Sequence, residues 1–170
     1  MNSYPNGPYR DPAEMRRIVD EMTERLKQDA EDAEAYFRRG NALANLDEND
    51  KTIEDMTRAI ELEPSRSMAF NNRGVALMCL GDFQAAKDDI SAAIELDPSY
   101  RDAYHNRGLA RSELGEVAEA IQDMTEALEL DPEYWSAYRH RSILHAMSGD
   151  QGAAYSDYMK ARALSTHDEA

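Results

Sequence analysis

Two histidines, His105 and His140, are the side chains of this chain best suited to bind a metal or to move a proton. They are expected on neighbouring helices, where Asp102 or Glu113 could supply the third ligand that a metal site needs. The spacing matches no specific metal motif, so solvated histidines on a binding surface are the preferred interpretation. The single cysteine, Cys79, has no base within its own helical turn, and the chain contains neither a glycine-rich phosphate loop nor a nucleophile elbow. The residues therefore predict no enzyme activity, no metal and no cofactor.

Arginine and aspartate recur at a constant step and are the other charged residues able to act together. Each series advances by 34 residues. An arginine facing an aspartate on another helix forms a charge-assisted pair, and its stem covers apolar surface. A row of phosphate-binding arginines is the less favoured alternative, because the aspartates would cancel its charge. The expected structural ion pairs are Arg39 with Asp55, Arg73 with Asp89, Arg107 with Asp123, and Arg141 with Asp157.

The same 34-residue step organises the rest of the chain. The segments AIELEP, AIELDP and ALELDP end at Pro64, Pro98 and Pro132. Self-similarity at this period is typical of helical repeat arrays. Proline ends each unit because it cannot continue a helix interior and restrains the residue before it.

Each repeat is predicted to contain two helices joined by a short turn. In the first repeat these helices span 33–46 and 50–62. Later repeats turn at a glycine followed by an acid, since glycine tolerates the left-handed conformation that ends a helix. These turns are Gly81-Asp82, Gly115-Glu116 and Gly149-Asp150. A preceding helix is expected to begin near Asp11-Pro12, where aspartate caps free N–H groups and proline suits the first helical position.

Residues at fixed positions of the repeat resemble the tetratricopeptide repeat family. The fourth position is aromatic, the eighth is small, and the second helix alternates small and large apolar residues, as two interlocking helices require. The aromatic residues are Tyr36, Phe70, Tyr104 and Tyr138, and the small ones are Gly40, Gly74, Gly108 and Ser142. The resemblance covers about residues 33–164. It implies an all-α, right-handed superhelical solenoid of helix-turn-helix repeats that binds protein or peptide partners.

Four kinds of segment are expected along the chain. They are a disordered tail at 1–11, an N-terminal capping helix at 12–30, four repeats at about 31–64, 65–98, 99–132 and 133–164, and a second tail at 165–170.

The composition excludes several classes of function. Nineteen Lys and Arg stand against 34 Asp and Glu, a formal net charge of −15. A binder of nucleic acid needs clustered cations to displace counterions, so nucleic acid is not an expected partner. No apolar run approaches the roughly 18 residues of a membrane span, and the N-terminus has no apolar core of signal-peptide length. The sequence therefore predicts a cytoplasmic protein without a membrane partner.

The resemblance also implies that ligands bind in a concave groove lined by the first helix of each repeat. Asparagine both donates and accepts hydrogen bonds, which suits the backbone of an extended peptide, and methionine adapts to irregular apolar partners. The alternative is that these are neutral surface residues. The predicted groove residues are Phe37, Arg38, Asn41, Asn45, Met68, Asn71, Asn72, Met78, His105, Asn106, Leu109, Arg139, His140 and Ile143.

One subclass of the family grips the carboxyl termini of chaperones with asparagines and cations. Asn41 and Asn72 match its asparagines. Phe37, Asp102 and Asn106 stand where its cations are expected, so carboxylate capture would lose its charge-assisted hydrogen bonds. The sequence therefore favours an adaptor or scaffold, in general terms co-chaperone-like, that clasps an extended segment.

The C-terminal repeat suggests an alternative function. A solenoid repeat covers only its neighbours, so terminal repeats need caps. The last helix carries Tyr155, Tyr158, Met159 and Arg162, which are tolerated at a solvated end and are also favoured at interfaces. Self-assembly into a homo-oligomer through this end is the second function that the sequence leaves open.

Overall fold

The computed structural model describes residues 11–165, and this part of the chain consists of α-helices without a β-strand. The helices are α1 (Pro12–Gln28), α2 (Ala33–Asn45), α3 (Asn49–Leu62), α4 (Ser67–Cys79), α5 (Phe83–Leu96), α6 (Arg101–Glu113), α7 (Val117–Leu130), α8 (Trp135–Ser148) and α9 (Gln151–Ser165). None of these helices is long and apolar enough to cross a membrane. The predicted tails lie outside the described residues, apart from Asp11 and Ser165.

The helix ends follow the predicted start and stop signals closely. The Asp11 side chain accepts a hydrogen bond from the Ala13 N–H at 2.9 Å, and Pro12 is the first helical residue of α1. Helix α2 ends one residue earlier than predicted, and α3 begins one residue earlier, at Asn49. Three of the turns place a glycine at positive φ, where an L side chain is strained. Those glycines are Gly81, Gly115 and Gly149, with φ of 84°, 78° and 90°.

The described helices form two compact units, residues 11–82 and 83–165. The first unit contains α1–α4 and the second α5–α9. Within each unit consecutive helices pack on one another. We call α2, α4, α6 and α8, the first helices of the repeats, the A helices, and α3, α5, α7 and α9 the B helices. The A helices α2 and α4 also contact each other in the first unit, as do α6 and α8 in the second.

A methionine in the B helix fills the space left by a glycine in the A helix. Met56 and Met124 are completely buried. A Cβ added at Gly40 would lie 2.8 Å from the Cε atom of Met56. A Cβ added at Gly108 would lie equally close to the Cε atom of Met124. The absence of a side chain at these glycines therefore allows each A helix to approach its B helix.

The recurring arginines form bidentate ion pairs inside the repeats. Arg107 Nη2 donates to Asp123 Oδ1 at 2.7 Å and its Nε donates to Oδ2 at 3.1 Å, while the Asp123 side chain is 1% exposed. The corresponding closest distances are 2.7 Å for Arg39–Asp55 and 2.7 Å for Arg141–Asp157. Arg73 and Asp89 belong to different units, and their pairing stays a prediction.

Each arginine also reaches a hydroxyl of the preceding helix and lies over the aromatic ring at the fourth position. Arg141 Nη1 donates to Thr125 Oγ1 at 3.0 Å, and its guanidinium carbon lies 5.5 Å from the Tyr138 ring centroid. The same hydroxyl contacts are Arg39 to Thr23 at 3.2 Å, Arg73 to Thr57 at 3.0 Å and Arg107 to Ser91 at 3.3 Å. Each arginine thus links its A helix to the preceding helix, and this contact is separate from the arginine–aspartate pair.

Candidate protein-binding surfaces

Two asparagines join the A helices of the first unit. Asn72 Nδ2 donates to Asn41 Oδ1 at 2.7 Å, and Asn71 Nδ2 donates to Asn72 Oδ1 at 3.1 Å. Asn41 and Asn72 are half-buried. The Asn41 side-chain nitrogen makes no hydrogen bond to any residue within 11–165. It therefore retains donor capacity for a ligand.

Phe37 is covered rather than open to a ligand. Its exposed fraction is 9%, and the Arg66 guanidinium carbon lies 4.7 Å from its ring centroid. Arg66 also pairs with Glu34 and Glu63, each at 2.6 Å. Phe37, a predicted groove residue, therefore offers little surface to a ligand, and at this place Arg66, the residue just before α4, lies nearer the surface.

His105 and His140 meet in the second unit, on α6 and α8. His105 Nε2 and His140 Nδ1 are 3.0 Å apart, so one ring N–H donates to the other ring. The Ser136 hydroxyl lies 3.3 Å from the same His105 nitrogen and 3.5 Å from that of His140. The expected proximity of the histidines is confirmed. Their expected solvation is wrong for His105, whose exposed fraction is 1%.

Burial keeps the two rings neutral. It lowers the pKa of His105 from 6.5 to about 3. The His140 ring lowers this pKa further, the Asn106 side chain opposes the shift, and the Arg101 guanidinium adds to it. Burial also lowers the pKa of His140. Within residues 11–165, no three His, Cys, Asp or Glu side chains are placed to hold a metal ion.

Tyr134 covers His105 on the other side. Their ring centroids are 5.1 Å apart, and the Arg101 guanidinium carbon lies 4.1 Å from the Tyr134 centroid. Arg101 pairs with Asp102 at 2.6 Å and with Asp131 at 2.5 Å. The buried Tyr134 hydroxyl and His105 Nδ1 have no hydrogen-bond partner among the described residues. Burial raises the pKa of Tyr134.

The remaining predicted groove residues differ in exposure. Asn71 and Asn106 are buried, at 4% and 7% exposed, so these two predicted groove residues offer little surface to a ligand. Met78 and Leu109 are half-buried. The exposed ones are Arg38, Asn45, Met68, Arg139 and Ile143.

The end of the second unit carries an apolar surface. Side chains of α8 and α9 line a groove of about 600 Å³: Ser142, Ile143, Ala146, Met147, Gln151, Ala154, Tyr155 and Tyr158. We call Ile143, Met147, Tyr155 and Tyr158 the C-terminal patch; they are 49%, 59%, 66% and 52% exposed. The structure thus joins Ile143, a predicted groove residue, with tyrosines predicted for an oligomer interface.

Four residues of these sites were absent from the sequence-based set: Arg66, Arg101, Tyr134 and Ser136. A signal for two of them existed. When the repeats are counted from 33 and 101, so that the aromatic residue is at position four, Arg66 and Tyr134 occupy the last positions of the repeats 33–66 and 101–134. Each lies over the fifth-position residue of the same repeat, Phe37 or His105.

The helices and ion pairs define a class of protein, an all-α helical repeat solenoid. Three family models described as tetratricopeptide repeat match residues 67–100, 101–134 and 33–66, together more than half of the chain. The chain belongs to the tetratricopeptide repeat family. The fourth helix pair, α8 and α9, lies wholly beyond the matched residues and keeps the Arg141–Asp157 pair.

Solved structures with the same fold agree with this assignment. MamA superposes with a TM-score of 0.83 at 23% identity, covering 89% of this chain and 88% of MamA. The first tetratricopeptide domain of Spaghetti (RPAP3), bound to the HSP90 peptide SRMEEVD, has a TM-score of 0.69 at 28% identity, covering 71% and 96%. The OM64 tetratricopeptide domain from Arabidopsis has a TM-score of 0.66 at 32% identity, covering 67% and 94%. No curated protein matches the chain. The chain is thus a protein–protein interaction module.

Proposed function

We propose that this module binds an extended segment of a partner protein along its A helices, as an adaptor or scaffold. The observation that carries the proposal is the Asn41–Asn72 pair, which spans two A helices and keeps an unused side-chain donor. An extended segment has unpaired backbone carbonyls and N–H groups, and an amide serves both. Arg38 and Met68, both exposed on the same two helices, add a charge and an adaptable apolar contact.

The similarity to the Spaghetti (RPAP3) domain, which is 28% identical to this chain, supports a peptide as the ligand, because that domain is bound to the HSP90 peptide SRMEEVD. We do not propose the same acidic peptide as the ligand of this chain. Phe37 and Asp102 occupy positions where a carboxylate clamp would need cations. Both lie beside arginines, Arg66 and Arg101, that are already paired with carboxylates. Recognition of the peptide backbone is therefore favoured over capture of a carboxyl terminus.

Selection of random 12-residue peptides against the purified protein, followed by fluorescence anisotropy with the enriched peptide, tests the proposal. We expect Asn41→Ala with Asn72→Ala to weaken binding about 5- to 30-fold, since one or two hydrogen bonds of roughly 1 kcal/mol each are lost. Circular dichroism should show unchanged helicity.

The matched control replaces two exposed amides on other helices, Gln28→Ala with Gln122→Ala, and should bind like the unaltered protein. Equal affinity of the Asn41/Asn72 variant and this control would contradict the proposal. Self-assembly through α9 and a cytoplasmic location stay predictions.

A further inference from the structure

The C-terminal patch corresponds to a surface that a helix covers elsewhere in the same unit. One repeat earlier, the counterparts of Ile143, Tyr155 and Tyr158 are Leu109, Ile121 and Met124. These three residues belong to one hydrophobic cluster with Ala137 and Leu144 of α8. Met124 is fully buried there, whereas Tyr158 is 52% exposed. Three of the four patch residues therefore have the position of a helix-binding surface without a helix on it among the described residues. The counterpart of the fourth, Met147, is the exposed Glu113.

Two unpaired cations flank the patch. Arg139 lies one helical turn before Ile143, and Arg162 lies one turn after Tyr158, so each shares a helix face with the patch. Helices α8 and α9 pack on each other and are joined by the short turn at Gly149-Asp150, so the start of α8 lies beside the end of α9. Both cations therefore lie toward the end of the patch that is away from this turn. Neither guanidinium makes an ion pair with a residue in 11–165.

The charge of this end is opposite to that of the chain. Residues 135–165 contain four Lys or Arg and two Asp or Glu, although the whole chain has a net charge of −15. A basic surface with an apolar centre complements an amphipathic helix that carries acids beside its apolar face. Tyrosine, methionine and arginine are the residues enriched in such interfaces.

A second folded copy of the chain is a poorer occupant. The A helices α2, α4, α6 and α8 already pack on α1, α3, α5 and α7, respectively. In a folded copy, the exposed apolar pair on an A helix is Ile143 and Met147 of α8. That pair belongs to the same basic patch, so two copies would bring like charges together. A helix from a different protein is not limited in this way.

We propose that the C-terminal patch binds an acidic amphipathic α-helix of a partner protein. The apolar face of that helix covers Ile143, Met147, Tyr155 and Tyr158, and its carboxylates pair with Arg139 and Arg162. This surface is distinct from the Asn41–Asn72 pair, so the two proposals succeed or fail independently.

The test uses two fluorescent 16-residue stapled helices with the same leucine face, one flanked by glutamates and the other by lysines. We expect the full chain to bind the glutamate helix at least 10-fold more tightly than the lysine helix at low salt. The variant Arg139→Glu with Arg162→Glu should reverse this preference. Tyr158→Glu should remove binding of both helices, with helicity checked by circular dichroism.

The control Arg16→Glu with Arg17→Glu makes the same change of charge at two exposed arginines of α1 and should keep the preference for the glutamate helix. Similar binding of both helices, or equal loss in the control, would overturn the proposal. It would also be overturned if light scattering showed a dimer that Tyr158→Glu dissociates, because a second copy would then be the occupant.

Discussion

At the scale of single residues, the recurring arginine explains how polar groups are accommodated inside this fold. Asp123 is buried, yet Arg107 and Arg111 lie within 2.7 and 2.8 Å of its carboxylate. A buried carboxylate without such partners is strongly destabilising. The arginine series therefore belongs to the scaffold and leaves no row of free cations for a phosphate ligand.

His105 is a titratable polar side chain in a buried position. The ring bonds to His140 through one nitrogen, and its other nitrogen has no hydrogen-bond partner among the described residues. A proton added to either ring would place a charge beside Arg101 or Arg139, which already lower the pKa values of His105 and His140, respectively. The pair is therefore stable only while both rings are neutral.

We expect the free energy of unfolding to fall as the pH drops below 6.5. The unfolded chain then binds protons at these histidines, whereas the folded chain, in which the pKa of His105 is about 3, does not. The loss amounts to at most about 1.4 kcal/mol per pH unit for each histidine. Urea denaturation between pH 5.5 and 7.5 measures it, in a range where most carboxylates stay ionised.

The variant His105→Gln with His140→Gln should show a shallower dependence on pH than the unaltered protein, whatever its absolute stability. If the double variant kept the original slope, the acid sensitivity would come from other groups and the neutral pair would be disproved.

At the scale of helices, the distance between A and B helices depends on a missing side chain. Near Gly108, an added Cβ would meet the Met124 Cε atom at 2.8 Å, the Asp123 Cβ at 3.2 Å and the Ala120 carbonyl oxygen at 3.3 Å. Near Gly40, two of the three nearest atoms belong to the flexible Met56 side chain and none is a backbone atom. The surroundings of Gly108 are therefore less able to adjust to an added side chain than those of Gly40.

We expect Gly108→Ala to destabilise the protein by about 1–2 kcal/mol, because overpacking outweighs the gain of roughly 1 kcal/mol in helix propensity. Gly40→Ala should cost less, since Met56 can move. Urea denaturation of both variants gives the comparison.

Gly152→Ala is the matched control, because an added Cβ there meets only Asp150 Oδ1, at 3.6 Å. It should be neutral or stabilising by up to about 1 kcal/mol. A stabilising Gly108→Ala would show that the two helices are not limited by this contact.

The helices themselves were predictable because their signals are local. Proline, glycine at positive φ and the Asp11 cap define helix ends within one residue, and the arginine–aspartate step identified pairs from periodicity alone. The exposure of the predicted groove residues was harder to predict. Phe37 and His105 are covered by Arg66 and Tyr134, each 29 residues later in the chain. Periodicity does not predict which side chain covers another.

At the scale of the whole molecule, charge and exposure are distributed unevenly. The net charge of −15 favours association with basic partners in general. Helices α8 and α9 carry the opposite balance together with five of the ten exposed large apolar side chains in the described part of the chain. A module with these properties has two surfaces of different chemistry, amides on the A helices and an apolar, basic end.

The most direct measurement of the central claim is site-specific photo-crosslinking in the native cell. A photoreactive amino acid replaces Arg38 on A helix α2, and separately Gln122 on B helix α7, both exposed positions. The account predicts that position 38 crosslinks a partner protein, that the crosslink disappears when Asn41→Ala and Asn72→Ala are added, and that position 122 gives none. Crosslinking of the same partner from position 122 but not from position 38 would contradict binding along the A helices.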